Sequence, residues 1–199
     1  MKPIERGEVL GLADYETIRD RFRARVIEEK KVRRVKLGPQ ASCVFENRDT
    51  ALLQIQEMLR TERITREAAV LHEIETYNQL VPGDHELSAT VLVEIDDKPE
   101  REKFLFEAKG LDRSFSLVVD GERCKAQHDV AREHPERTTA VHYLKFRLTA
   151  AAERALRDVL EKKRAPGDVS VEVVVEHPRY SARAKLPPEA VASVAEDLA

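Results

Sequence analysis

The strongest constraint on this chain is a change of hydrophobic period near residue 85. Beyond it, ELSATVLVEI, SFSLVV, TTAVHYLKFRL and DVSVEVVVE are short runs of strand type. Two helical patterns, KPEREKFLFEAKGL and TAAAERALRDVLEKK, separate them, the second capped by Thr149. SFSLVV and ERCKAQH flank Asp120-Gly121, a two-residue hairpin signal, and DVSVEVVVE and RYSARAKL flank a turn at His177-Pro178. The order strand–helix–strand–strand therefore occurs twice, over residues 86–129 and 139–186. PPEAVASVAEDLA closes the chain as a helix, with Pro188 pre-set for its first turn.

Residues 1–84 have a different character. Tyr15, Ile18, Phe22 and Val26 form a stripe on a helix over residues 14–31. VRRVKLG and ASCVFEN then read as two short strands around Gly38-Pro39. A second helix is expected from Asp49 to Glu62, capped by Asn47 or Asp49, and a third from Thr65 to Leu80, closed by Val81-Pro82-Gly83. The expected fold is α+β. A mainly helical region with a short strand pair (1–84) precedes a tandem strand–helix–strand–strand repeat (85–199), which forms a mostly antiparallel sheet with helices on one face. The two regions are expected to make one compact unit.

Composition narrows the setting. With 42% hydrophobic and 36% charged residues, the chain has a core and a heavily charged surface. No apolar run approaches the length of a membrane span, and the N-terminus lacks the apolar core of a signal peptide. Two cysteines give no disulfide framework, so a cytoplasmic location is expected. The net charge of −3 argues against a global pull toward nucleic acid. Locally, Arg19 to Lys36 carries nine Lys or Arg against Asp20, Glu28 and Glu29. Aromatic residues are only 5% and Trp is absent, so base stacking is poorly supplied.

FENRDTALLQIQEMLRTER, residues 45–63, places polar residues where apolar ones would be simpler. On a helical wheel the apolar arc of the second helix holds Leu52, Ile55, Met58 and Leu59. Glu62 and Arg63 fall inside that arc, Gln56 at its edge and Glu57 on the opposite side. In the third helix Val70, Leu71, Ile74 and Tyr77 form the arc, with Glu67 and Asn78 inside it. A buried polar network of Glu46, Arg48, Gln56, Glu62, Arg63, Glu67 and Asn78 is expected, because a buried polar group without a partner is destabilising.

Few chemistries have a signature. There is no Glu-x-x-His pair, H-E-x-x-H, C-x-x-C, Walker loop, G-x-G-x-x-G or G-x-S-x-G. Cys124, His128, His134 and His142 are weak candidates for a soft metal site, although their spacing matches no zinc motif. Cys43 reads as a small buried residue rather than a nucleophile. No cofactor is evident.

KVRRVKLG, FENRDTALLQIQEMLRTER, YNQLVP and ELSATVLVEI together resemble the bacterial family called domain of unknown function 3501. The resemblance spans essentially the whole chain and implies no established activity, cofactor or catalytic residue. Members of that family are often encoded beside rubrerythrin and iron–sulfur oxidoreductases, which implies an accessory role with a protein partner from a redox system. The leading expectation is a non-catalytic binding or accessory protein, with a homo-oligomer left open. The alternatives are a metal-dependent redox enzyme using carboxylates of the helix pair (Glu46, Glu62, Glu67) and an RNA-associated protein using the basic helix.

Overall fold

The computed structural model describes residues 1–128 and 136–199, His128 for its backbone alone. Its elements run α1 (Leu12–Val32), β1 (Arg34–Lys36), β2 (Ala41–Glu46), α2 (Arg48–Thr61), α3 (Glu67–Asn78), β3 (Glu86–Val93), α4 (Lys98–Glu107), β4 (Phe115–Val119), β5 (Glu122–His128), β6 (Val141–Arg147), α5 (Ala150–Leu160), β7 (Val171–His177), β8 (Tyr180–Lys185) and α6 (Pro188–Ala195). Local signals account for most of these boundaries. Asn47 accepts from the Thr50 amide at 3.0 Å, and the Thr50 hydroxyl accepts from the Asn47 amide at 2.9 Å, closing the N-terminus of α2. Asp120 and Gly121 take φ of 48° and 89°, as a tight hairpin between β4 and β5 requires.

All eight strands form one antiparallel sheet in the order β1-β2-β3-β6-β5-β4-β7-β8. The sheet curls until its edges meet. The Tyr180 hydroxyl on β8 donates to the Leu37 carbonyl just after β1 and accepts from the Gln40 amide at 3.3 Å. Gly38 makes that approach feasible. Its φ is +73°, and a Cβ there would lie 2.7 Å from the Tyr180 hydroxyl. The result is a nearly closed, barrel-like sheet.

Alternation along the strands sends residues to two different environments. Val35, Cys43, Phe45, Ala89, Leu144, Leu117, Val173 and Ala184 share the inner face, where one contiguous core also takes up Leu105, Leu156 and Val191 from α4, α5 and α6. Helices α1 to α3 cover the outer face of β2, β3 and β6, around a second core built on Ile55, Leu59, Val70 and Ile74. The two helices of the tandem order, α4 and α5, share the inner face, while α1 to α3 add a second layer on the outer face, because β2 and β3 are apolar or buried on both sides: all six residues of β2 are buried. The N-terminal strand pair joins the main sheet, since β2 pairs with β3 from Ala41↔Val93 to Glu46↔Ser88. The order β3-α4-β4-β5 is followed by β6-α5-β7-β8, but the two sets interleave, with β6 lying between β3 and β5. Among the described residues, no helix is long and apolar enough to cross a membrane.

Candidate functional site

Four residues expected in one polar network instead converge on the first ten residues of the chain. The Gln56 amide accepts from the Leu10 N–H at 2.7 Å and donates to the Leu10 carbonyl at 3.2 Å. The Asn78 amide does the same for Ile4, at 2.7 and 2.9 Å. Each amide copies the donor–acceptor pair of a neighbouring strand, so the N-terminal segment is clamped as if by a ladder. Arg48 binds the Lys2 carbonyl at 3.0 Å and pairs with Glu8, while Glu67 pairs with Arg6 at 2.8 Å on the surface. The role of these side chains is to hold a segment that carries Ile4 and Val9 into the outer core.

Glu62 and Arg63 are exposed, not buried. The helix ends before both of them: α2 stops at Thr61, and Arg63 turns into the left-handed region with φ of 53°. The Ile64 amide then bonds back to the Leu59 carbonyl at 2.9 Å, a C-terminal cap that points both side chains outward. Glu57 is corrected in the opposite sense. It accepts from the Tyr15 hydroxyl at 2.6 Å and from Arg19 through both oxygens, at 2.8 and 2.9 Å. A helix flanked by α1 and α3 has more than one covered arc, which a single-arc wheel does not represent. The Arg19 guanidinium holds the Glu57 carboxyl below its usual range, and burial followed by the Glu57 carboxylate pushes the Tyr15 phenol up.

Of the soft-metal candidates, Cys124 and His142 are the two whose side chains are described, and they are not brought together. Cys124 lies on the inner face of β5 and His142 on the inner face of β6 beside the Phe115 ring. Ala126 is opposite Phe146, so Cys124 and His142 are separated by about six residues along the ladder, roughly 20 Å. His134 and the side chain of His128 lie outside the described residues. Among the described residues, no group of three or more His, Cys, Asp or Glu is placed to hold a metal ion. The carboxylate set does not converge either: Glu46 precedes α2 and Glu62 follows it, about 20 Å away along the helix. The thiols are quiet. Burial pushes Cys43 up to about 12 and also raises Cys124. Seven of the nine basic residues from Arg19 to Lys36 form ion pairs with carboxylates, so the local excess of charge is largely engaged within the fold.

Glu46 differs from the rest of the expected network. It ends β2 on the outer face and is 4% exposed. Its Oε1 accepts from the Thr90 hydroxyl at 2.7 Å. Its Oε2 has no hydrogen bond, and the Lys30 ammonium stands 3.6 Å from it, beyond hydrogen-bond distance. This carboxylate lines a cavity of about 230 Å³ between α1 and α2 and the outer face of the sheet. The floor is a cross-strand row in register, Arg34–Val44–Thr90–Tyr143, contributed by β1, β2, β3 and β6. Leu92 and Val141 extend the floor with apolar surface, and Thr50, Gln54 and Leu80 close the opposite wall. Of the lining residues, Arg34 bonds Ser42 and Glu94, both at 2.9 Å, and Glu94 also pairs with Lys36 at 2.5 Å.

Glu46 is held from behind by a buried arginine. Arg33, 1% exposed, donates to the Phe45 carbonyl at 2.9 Å, the Glu46 carbonyl at 3.2 Å and the Ser193 carbonyl at 2.9 Å, and pairs with Asp197. The same residue therefore fixes the backbone of Glu46 and ties α1 to the C-terminal helix. Nothing in the local sequence marks Arg33, Lys30, Thr90 or Tyr143. Their only signal is polar identity within otherwise structured segments.

These features define a class: a barrel-like α+β protein with a semi-enclosed polar cavity on the outer face of its sheet. The family model described as "Protein of unknown function (DUF3501)" matches residues 3–198, and the chain belongs to that family. Among solved structures, it is similar to a novel protein of unknown function from Burkholderia pseudomallei K96243, at 32% identity over 100% of both chains with a TM-score of 0.89. Comparison with curated proteins finds no match.

Proposed function

We propose that the protein is a non-catalytic binding protein that takes a small polar molecule into the Glu46 cavity. One observation carries this reading: a carboxylate 4% exposed, with one oxygen lacking a hydrogen bond, forms part of the wall of an open cavity. Burying a carboxylate is costly unless its lone pairs are satisfied, and a ligand donor would complete the set. The lining holds one carboxylate and no His, Cys or Ser, so it has neither a histidine base nor a cysteine or serine nucleophile, which favours binding over catalysis.

An accessory role beside a redox system would fit this reading through binding. Both cysteines are buried with their thiols pushed up, which disfavours thiolate chemistry by the protein itself. The recurrence of strand–helix–strand–strand order supports an internal duplication as the origin of the sheet.

The test is saturation-transfer NMR of the protein against a bacterial metabolite extract, beside the cavity-filling variant Leu92→Trp. Signals from one or a few metabolites that vanish in the variant are expected. Equal signals from both proteins, or none from either, would overturn the reading.

A further inference from the structure

Resting on that reading, we infer that the ligand is a small carboxylate with a hydrogen-bond donor on the adjacent carbon, a 2-hydroxy or 2-amino acid. Two groups that are ion-paired but not hydrogen-bonded face each other at the site. Lys30 Nζ stands 3.6 Å from Glu46 Oε2, and among the described residues neither atom has a hydrogen bond. One needs an acceptor and the other needs a donor. Groups 3.6 Å apart are served by ligand atoms on neighbouring positions: a carboxylate toward Lys30 and a hydroxyl or ammonium toward Glu46. Oε2 is itself buried, so the ligand reaches it as the flexible, 29% exposed Lys30 side chain shifts slightly, with Nζ and Oε2 still within reach of neighbouring ligand atoms.

The charge of the lining points the same way. Lys30 and Arg34 stand against Glu46, an excess of one positive charge. That balance favours an anionic group over a simple cation. Thr90 fixes the orientation of Glu46 by its 2.7 Å bond to Oε1, leaving Oε2 as the reading atom. Val44, Leu80, Leu92 and Val141 provide an apolar surface for the rest of the ligand. A volume of about 230 Å³ equals that of seven or eight waters at ~30 Å³ each, ample for a six-atom acid with room for a longer substituent.

The experiment is a titration followed by 1H–15N NMR at the amides of Val44, Glu46, Thr90 and Tyr143. Four probes are used: L-lactate, L-alanine, propionate and putrescine. Lactate or alanine is expected to shift these amides in a saturable way, and whichever binds identifies the donor as hydroxyl or ammonium. Propionate, which lacks the donor, is expected to bind at least tenfold more weakly, and putrescine not to bind. Glu46→Gln should narrow the gap between propionate and the preferred acid, and Lys30→Met should weaken both acids at least tenfold. Propionate binding as well as both acids, or putrescine binding best, would overturn the inference. If all four leave the amides unmoved while an extract metabolite still binds the wild-type protein and not Leu92→Trp, the ligand class is wrong and the cavity reading stands. If the extract is silent as well, both fail.

Discussion

Arg33→Met is the perturbation whose consequence follows most directly from the structure. Arg33 and Asp197 are each 1% exposed, and they join residues 164 apart in sequence. The guanidinium also serves three backbone carbonyls and, at 3.1 Å, the Ser193 hydroxyl. Methionine roughly preserves the apolar volume but leaves Asp197 as a buried carboxylate with no counter-charge. Breaking one side of a buried pair in this way costs about 3–5 kcal/mol, a large share of the ~5–15 kcal/mol stability of a typical domain. Urea melts should show that loss in Arg33→Met. In the double variant Arg33→Met/Asp197→Leu both charges are gone, and the loss should be smaller than the sum of the two single changes by at least ~1 kcal/mol. Strict additivity, or a loss below ~1 kcal/mol in Arg33→Met, would refute the clasp.

The same pair makes a pH prediction. Burial, outweighing the nearby guanidinium, pushes the Asp197 carboxyl up to about 6. The folded state then holds that proton more tightly than the unfolded chain does. Its contribution to stability is fully present below the ordinary carboxylate range and is lost as pH rises through about 6. Glu8, Glu57 and Glu94 are held below their usual range by Arg48, Arg19 and Lys36, and act in the opposite direction. The informative quantity is therefore the difference between wild type and Asp197→Asn. That variant should gain on the wild type as pH rises from 4 to 7; a gap that is flat or closes the other way would show that the guanidinium wins over burial.

Other expected outcomes are simpler. Glu57→Ala should destabilise by about 1–2 kcal/mol in denaturant melts, because the fully buried Tyr15 loses the acceptor for its hydroxyl, while Glu62→Ala should stay within ~0.5 kcal/mol. Arg63→Gly should raise stability by up to ~1 kcal/mol, since a side chain at φ of 53° is strained there. Gly38→Ala should lower the thermal midpoint, by a loss of roughly 1–3 kcal/mol, because φ of +73° and the Tyr180 hydroxyl both oppose a Cβ. Native protein should react slowly with a thiol reagent, with both cysteines labelling only after unfolding; a fast phase would contradict the burial of Cys43.

Local grammar made much of this fold readable. The Asn47 cap, the Asp120-Gly121 hairpin, the Thr149 cap and Pro188 are short-range devices whose physics fits within four residues. What the sequence withheld is long-range. That β6 inserts between β3 and β5 depends on how strands meet in space, and a run such as VHYLKFR carries no label for its neighbours. The inward phase of Arg63 failed because a wheel has no end, whereas a helix does. The site was half visible. Glu46 stood out as an acidic residue closing an apolar strand, but Lys30, Thr90 and Tyr143 reach it from three other elements. Arg33 looked like one more charge in a basic run, and only the fold brings it to Asp197.

The central claim is that the cavity around Glu46 is a ligand site. It is tested most directly by a crystal structure of the protein soaked with the metabolite that wins the extract screen. The account predicts density in the cavity with an acceptor atom within hydrogen-bond distance of Lys30 Nζ and a donor atom within that distance of Glu46 Oε2. Density bound elsewhere on the molecule, with Glu46 Oε2 still contacted by no ligand, would contradict it.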